Sequence, residues 1–104
     1  TALEVTLTSP RWKRPKDADP AVAAEWQRFR EALRVHELGH ETIALQGADA
    51  IDDRLDTGLT APTCDEAREA ADKRATRVFD RYSSQSRRYD RDTDHGLTQG
   101  TGLK

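Results

Sequence analysis

One apolar stripe, from Val22 to Leu55, most constrains what this 104-residue chain can fold into. Apolar residues, two histidines and a glycine recur there every three or four positions: Val22, Trp26, Phe29, Leu33, His36, His40, Ile43, Gly47, Ile51 and Leu55. This spacing places all of them on one face of an α-helix. Asp19 and Pro20 form a typical helix start, and Gly58 follows the last turn as a typical stop. The sequence therefore predicts one long helix between these signals.

A second helix is expected after a short connection. Thr63 and Glu66 stand three residues apart, as in the capping box that starts many helices. The face that follows consists of Ala67, Ala71, Ala75, Val78 and Tyr82, and then Gln85 or Ser86. Two long helices with a short connection pack antiparallel, so we expect a helical hairpin. The polar tail from Asp90 onward is expected to be a loop.

The segment before the first helix has the pattern of a β-strand. Apolar and polar residues alternate from Leu3 to Thr8, which is typical of a half-buried strand. A lone strand cannot satisfy its backbone, so it must pair with another segment or chain, or remain an edge. The loop Ser9–Pro20 is expected to be anchored by Trp12. We therefore predict an α+β fold with a short N-terminal strand and two long antiparallel helices.

Composition limits both the core and the partners. Hydrophobic residues make up 35% of the chain and charged residues another 35%, which suits one domain, 1–104, with a small core. The chain has 17 basic and 19 acidic residues, so its charge balance does not indicate nucleic acid or a membrane surface as a partner. No apolar run approaches the roughly 18 residues of a membrane helix. The single cysteine, Cys64, is either free or paired with a cysteine upstream of Thr1.

The pentapeptide His36-Glu37-Leu38-Gly39-His40 carries the strongest chemical signal. It has the H-E-x-x-H pattern of helical zinc sites in metallopeptidases. Residues four apart share a helix face, so both imidazoles can reach one Zn²⁺ ion. Glu37 can then act as general base toward a water molecule that zinc activates. Gly39 fits a position where another segment passes close to the helix backbone.

A catalytic zinc site needs a third protein ligand beside the two histidines. If the second helix returns with equal rise, Asp80 falls level with His40, about 24 Å of helix from the end of the first helix. His95 is the remaining histidine, and a tail of this length has ample reach to fold back. We favour His95 as the third ligand; the alternatives are Asp80, Asp92 and Asp94.

Two tyrosines are candidates for stabilising a transition state. A phenol beside the metal can donate a hydrogen bond to the oxyanion of a tetrahedral intermediate. Tyr89 is the stronger candidate and Tyr82 the weaker. The alternative for both is packing on an amphipathic helix face.

Four segments of the chain carry a resemblance to a known family. They are Ser9-Pro10-Arg11-Trp12, the stretch Trp26–His40, Cys64 at the start of the second helix, and Tyr89–Gly96 with Gln99-Gly100 behind it. Together they resemble a bacterial family described as predicted secreted zinc-dependent proteases, a domain otherwise of unknown function. The Tyr89–Gly96 segment is similar to the Y-D-x-x-T-x-H-G ending of that family.

The resemblance implies a zincin-like metallopeptidase site. His36 and His40 would be zinc ligands, Glu37 the base and His95 the third ligand. It also implies a secreted or periplasmic protein, and a family domain that extends upstream with more strand and another cysteine. The present chain would then be a C-terminal portion of a longer domain.

We therefore expect a zinc-dependent metallopeptidase that hydrolyses a peptide or protein substrate. The N-terminal strand could bind an extended substrate by edge pairing. One alternative is a zinc-binding domain without peptidase activity, closed by a fourth ligand such as Asp92 or Asp94. Another is a helical interaction module in which the histidines pack without metal. The sequence specifies neither the substrate nor the oligomeric state.

Overall fold

Two long helices dominate the computed structural model, which describes residues 2–103. Helix α1 spans Pro20–Asp56 and helix α2 spans Cys64–Asp92; a short 3₁₀ turn, Leu97–Gln99, follows. The predicted caps form. The Asp19 carboxylate accepts a hydrogen bond from the Ala21 amide at 2.8 Å, and the Thr63 hydroxyl accepts one from the Glu66 amide at 3.1 Å. These side chains satisfy amides that the first helical turn leaves unpaired, which explains where both helices begin.

The two helices pack as an antiparallel hairpin. Position 39 of α1 lies against Tyr89, position 47 lies against Tyr82, and the Arg54 carbonyl accepts a hydrogen bond from Arg74 at 3.2 Å. Residue numbers therefore rise along α1 as they fall along the facing side of α2. Arg74 also donates to the Gly58 carbonyl at 3.0 Å, so it ties α2 to the chain that leaves α1.

The predicted α+β, zincin-like fold class is wrong for this chain. Within residues 2–103 the structure contains no strand, and the segment Leu3–Thr8 has no regular secondary structure. Its apolar side chains lie exposed, with Leu3 at 43% and Leu7 at 45% exposure. A strand needs a partner for its backbone amides and carbonyls, and the described part of the chain supplies none. The expected edge pairing with a substrate loses its structural basis for the same reason.

The C-terminal tail is more ordered than the sequence indicates. The predicted loop from Asp90 is wrong at its start, because α2 continues to Asp92. The chain then forms tight turns, in which the Thr98 amide donates to the Thr93 carbonyl at 3.0 Å and the Thr101 amide to the Gly96 carbonyl at 3.2 Å. These turns fold the tail back toward α1.

The molecule is long and has a thin core. Its extents are 71 × 26 × 15 Å and its radius of gyration is 20.0 Å, whereas a compact domain of this size has about 13 Å. The buried apolar side chains of the described residues are Ala23, Ile43 and Val78. Trp12 anchors the N-terminal loop as expected, with its ring 5.9 Å from that of Trp26. His36, which is only 4% exposed, is thus a polar side chain at the centre of a sparse interior.

The structure also bears on the expectations about a membrane helix and about Cys64. None of the described helices is long and apolar enough to cross a membrane. Cys64 lies exposed at the first position of α2 and forms no disulfide with the described residues.

Candidate metal centre

Three side chains from the two helices converge on one point. His36 and His40 project from neighbouring turns of α1 toward α2, where Asp90 faces both. The Asp90 Oδ1 atom lies 3.0 Å from His36 Nε2 and 2.8 Å from His40 Nε2. One ligand atom from each residue lies within 4.8 Å of the others, which is the arrangement of a candidate metal site.

The other nitrogen of His36 is held by Gln99. His36 Nδ1 lies 2.8 Å from Gln99 Oε1, and Gln99 Nε2 donates to the Tyr89 hydroxyl at 3.0 Å. The Tyr89 hydroxyl in turn donates to the His36 carbonyl at 3.0 Å. Since that hydroxyl proton is committed to the carbonyl, Tyr89 must accept from the Gln99 amide nitrogen, and the Gln99 oxygen is left to accept from His36. We assign the Nδ1–H tautomer to neutral His36 on this chain of hydrogen bonds.

His40 has an equivalent second contact. Its Nδ1 atom lies 2.6 Å from the hydroxyl oxygen of Ser86 on α2. A serine hydroxyl can accept from an Nδ1–H group or donate to a bare Nδ1, so this contact fits either tautomer of His40, and Nε2 faces Asp90 in both. Both histidines therefore have an outer partner at one nitrogen and face Asp90 with the other, as ligating histidines usually do.

The charge of Asp90 bears on whether these atoms could hold a metal cation. Burial acts to raise the pKa of the Asp90 carboxyl, but hydrogen bonds and charge from His40 and His36 outweigh it, so the pKa lies below its ordinary value. The carboxylate is therefore anionic at neutral pH. When no metal is bound, this lowering of the pKa requires a proton on Nε2 of at least one of the two histidines, and a metal cation among the three groups would take the place of that proton. Tetrahedral Zn²⁺ places its ligand atoms about 3.3 Å apart, so the two Nε2–Oδ1 separations of 3.0 and 2.8 Å would need to widen by about half an ångström or less.

Tyr89 packs on the histidines and explains Gly39. Its ring stacks on that of His36 with centroids 5.0 Å apart and meets His40 edge-on at 4.9 Å. A Cβ atom at position 39 would collide with the Tyr89 ring and hydroxyl, so glycine allows this close approach. The predicted close passage of another segment at Gly39 is confirmed. The Tyr89 hydroxyl is engaged by Gln99 and the His36 carbonyl, and its role as an oxyanion donor stays a prediction.

Gly39→Ala is expected to destabilise the protein by about 1–3 kcal/mol, because the added methyl group overpacks the contact with Tyr89. Helix propensity alone acts in the opposite direction, by about 1 kcal/mol. In a Tyr89→Ala background the same substitution should therefore become stabilising. Denaturant unfolding of the unmodified protein, the two single variants and the double variant measures the change in the free energy of unfolding. A change of the same sign in both backgrounds would contradict the prediction.

Gly96 lies against the other side of the centre. Its φ of +91° is a conformation that suits glycine, and a Cβ atom there would approach both the Thr101 side chain and the His36 ring. The glycine of the Y-D-x-x-T-x-H-G segment thus lets the tail turn directly over His36.

Glu37 projects to a different side of α1. It is half-buried and lines a groove of about 350 Å³ between the N-terminal segment Leu7–Ser9 and the α1 residues Arg30, Leu33 and Arg34, among others. Its position, one residue after His36, places it next to the candidate centre but outside the converging set. Its role as general base stays a prediction.

The structure does not bring His95 into the converging set. The residue is exposed and has a φ of +52°, and its amide donates to the Asp90 carbonyl at 2.7 Å. Asp80, Asp92 and Asp94 are exposed and lie outside the set as well. Tyr82 lies against Gly47, about two turns along α1 from His40. The identity of the third zinc ligand stays a prediction. The geometry adds Asp90 as a candidate for it.

Three residues of this arrangement were not singled out from the sequence: Asp90, Gln99 and Ser86. Asp90 and Gln99 belong to segments that carry the family resemblance, so a signal for them was present. Ser86 follows Tyr82 by four residues on the apolar face of α2, and a hydroxyl on that face facing the histidine stripe could have marked it.

The fold and the site together define a helical-hairpin domain in which His36, His40 and Asp90 form a cluster that could hold a metal ion. The chain belongs to a family described as bacterial protein of unknown function (DUF922), whose model matches residues 1–96. The matched residues include both helices and the turn after α2. Neither a curated protein nor a solved structure matches the chain.

Proposed function

We propose that this chain is a zinc-dependent metallopeptidase domain that cleaves peptide bonds in a peptide or protein substrate. The observation that carries the proposal is the convergence of His36 Nε2, His40 Nε2 and the anionic Asp90 Oδ1 at an H-E-x-x-H motif. Two imidazoles and one carboxylate form a ligand set known from catalytic zinc sites, in which water or substrate takes the fourth position. A zinc ion held there would polarise a carbonyl and lower the pKa of a water molecule to about 7.

The outer contacts support metal binding. Gln99 and Ser86 hold the Nδ1 atoms of the two histidines, so both Nε2 atoms keep a fixed direction without a metal. Preorganised ligands lose less conformational freedom on binding a metal ion. A neutral core pair of histidines would need no carboxylate placed between the two rings.

The groove beside Glu37 supports a substrate site. Its volume of about 350 Å³ falls in the range of small-molecule and peptide side-chain pockets. Glu37 at its wall could accept a proton from the attacking water and deliver it to the leaving amine. Arg30 and Arg34 line the same groove together with Glu31 and Glu37, and Arg34 pairs with Glu31 at 3.7 Å, so the charges of the lining balance. Secretion or a periplasmic location belongs to this proposal through the family resemblance alone.

A zinc site without peptidase activity is the second candidate. One observation favours it: the Tyr89 hydroxyl is already engaged by two partners, so it is not free to stabilise an oxyanion. In this case a further side chain would close the fourth position of the metal. The helical interaction module is the third candidate, and metal analysis separates it from the other two.

Protein purified without a histidine tag is expected to contain about one zinc per chain, measured by mass spectrometry of the metal. It should hydrolyse an unstructured protein such as casein. A chelator should abolish hydrolysis, and added zinc should restore it. Bound zinc without hydrolysis would favour the zinc site without peptidase activity. A near-zero zinc content, with no zinc binding on titration, would favour the helical interaction module.

A further inference from the structure

Arg28 joins α1 to the C-terminal tail. It lies two turns before His36, and its Nη1 atom donates to the Gly100 carbonyl at 2.6 Å while Nη2 donates to the Gly102 carbonyl at 2.5 Å. Glu25, one turn earlier, accepts from Nε at 3.0 Å and from Nη2 at 2.5 Å. All three guanidinium nitrogens are therefore engaged, and the arginine is held in one orientation on the helix.

The clamped tail carries Gln99 to His36. Gln99 immediately precedes Gly100, and the backbone amide of Gln99 donates to the Gly96 carbonyl at 2.9 Å. The Gly100 amide donates to the Leu97 carbonyl at 3.1 Å, so these residues form one tight turn. Within this turn the Gln99 side chain reaches His36 Nδ1 at 2.8 Å. The position of that side chain thus depends on the two carbonyls that Arg28 binds.

The contact with Gln99 decides which nitrogen of His36 carries the proton. With Gln99 present, Nδ1–H donates to the amide oxygen and Nε2 offers its lone pair. Without Gln99, the opposite tautomer gains a good alternative, because an Nε2–H group could donate to Asp90 Oδ1 at 3.0 Å. The cluster would then be satisfied by its own hydrogen bond, and a metal would have to displace that proton.

We propose that Arg28 is a positioning residue for His36, acting through the Gly100 and Gly102 carbonyls to hold Gln99 against Nδ1. The clamp keeps His36 in its Nδ1–H form, with Nε2 free for a cation. The metal-affinity part of this inference rests on the proposed function, whereas the tautomer part does not.

The test compares Arg28→Gln with Arg74→Gln. Arg74 is a matched control because it also donates to two backbone carbonyls, but at the far end of the hairpin. Zinc affinity is measured by competition with a chromophoric chelator. The tautomer of metal-free His36 is read from long-range ¹H–¹⁵N NMR at a pH where the imidazole is neutral.

Arg28→Gln should bind zinc about 10–100-fold more weakly, which is the usual effect of losing a residue that holds a metal ligand in place, and should shift His36 toward the Nε2–H form. Arg74→Gln should change neither.

A second pair of variants keeps the inference testable if Arg28→Gln does not fold. Gln99→Leu removes the acceptor and should behave as Arg28→Gln does, while Gln99→Glu keeps an acceptor and should retain both the tautomer and the affinity. An Nε2–H tautomer in the unmodified protein would overturn the inference, as would equal zinc affinity in Arg28→Gln and Arg74→Gln, or in Gln99→Leu and Gln99→Glu. If the unmodified protein binds no zinc, the proposed function fails, and the tautomer measurement alone decides on the role of Arg28.

Discussion

Glu37→Gln is expected to lower kcat for peptide hydrolysis by about 10²–10⁴-fold and to leave the zinc content unchanged. The range is that of losing a general base, since a glutamine amide cannot take a proton from water. Zinc should stay bound because Glu37 lies outside the converging set of His36, His40 and Asp90. The measurement is kcat and KM with a quenched fluorescent peptide, together with metal analysis of the same preparation.

Glu41→Gln is the matched control for this experiment. Glu41 follows on the same helix, one residue after the motif, and is half-buried as Glu37 is. The substitution removes the same charge without touching the groove wall or the cluster, so kcat should stay at the level of the unmodified protein. Unchanged hydrolysis in Glu37→Gln would remove Glu37 from its assigned role. A large loss of zinc in that variant would instead place Glu37 among the groups that bind the metal.

Asp90→Ala is expected to weaken zinc binding by more than about 100-fold, beyond the loss typical of an outer-shell partner. The substitution removes the anionic oxygen that lies within 3.0 Å of both Nε2 atoms. His95→Ala should leave zinc affinity unchanged, because its side chain lies exposed and outside the converging set. Competition with a chromophoric chelator measures the zinc affinity of Asp90→Ala and His95→Ala. Asp90→Asn, which keeps the shape of the side chain, is measured in the same way.

The reverse result would restore the third ligand that the family resemblance implies. If His95→Ala loses zinc and Asp90→Ala keeps it, the tail beyond Thr93 must rearrange on binding a metal. Asp90 would then act on the two histidines as a hydrogen-bond partner only. X-ray absorption of the zinc-loaded protein would add an independent count of imidazole and carboxylate ligands, since it reports the atoms around the metal directly.

The starts of both helices followed from the sequence because their signals are local. Asp19 and Thr63 cap amides two or three residues away, so no distant part of the chain is needed to place them. Gly39 was also interpretable, since a glycine within a strongly periodic helix needs a reason in packing. The converging histidines followed from a spacing of four residues, which any regular helix places on one face.

The register between the helices was not accessible in this way. Equal rise from the turn predicted Asp80 level with His40, whereas the structure pairs His40 with Ser86 and Asp90. Arg74 meets the end of α1, so the first turns of α2, from Cys64 onward, extend past that end. The overhang depends on how the connecting residues pack, and no short-range pattern encodes it.

The fold class failed for a related reason. Alternation in Leu3–Thr8 describes which side chains could share a face, but a strand exists only when another backbone pairs with it. Within residues 2–103 no such partner is present; the segment is irregular, and Leu7 and Thr8 line a groove on α1. Strand formation is a property of two segments, and a pattern in one of them cannot decide it.

By itself, the sequence determined the two helices, their caps, the shared face of His36 and His40, and the need for partners at their nitrogens, because all of these depend on spacings within one helix. The tertiary structure alone decided that Asp90 faces both histidines, that Gln99 and Ser86 hold their other nitrogens, and that Arg28 clamps the tail. Each of these contacts joins residues more than 45 positions apart. Their formation depends on the register of the hairpin and the path of the tail, which packing across the whole chain determines.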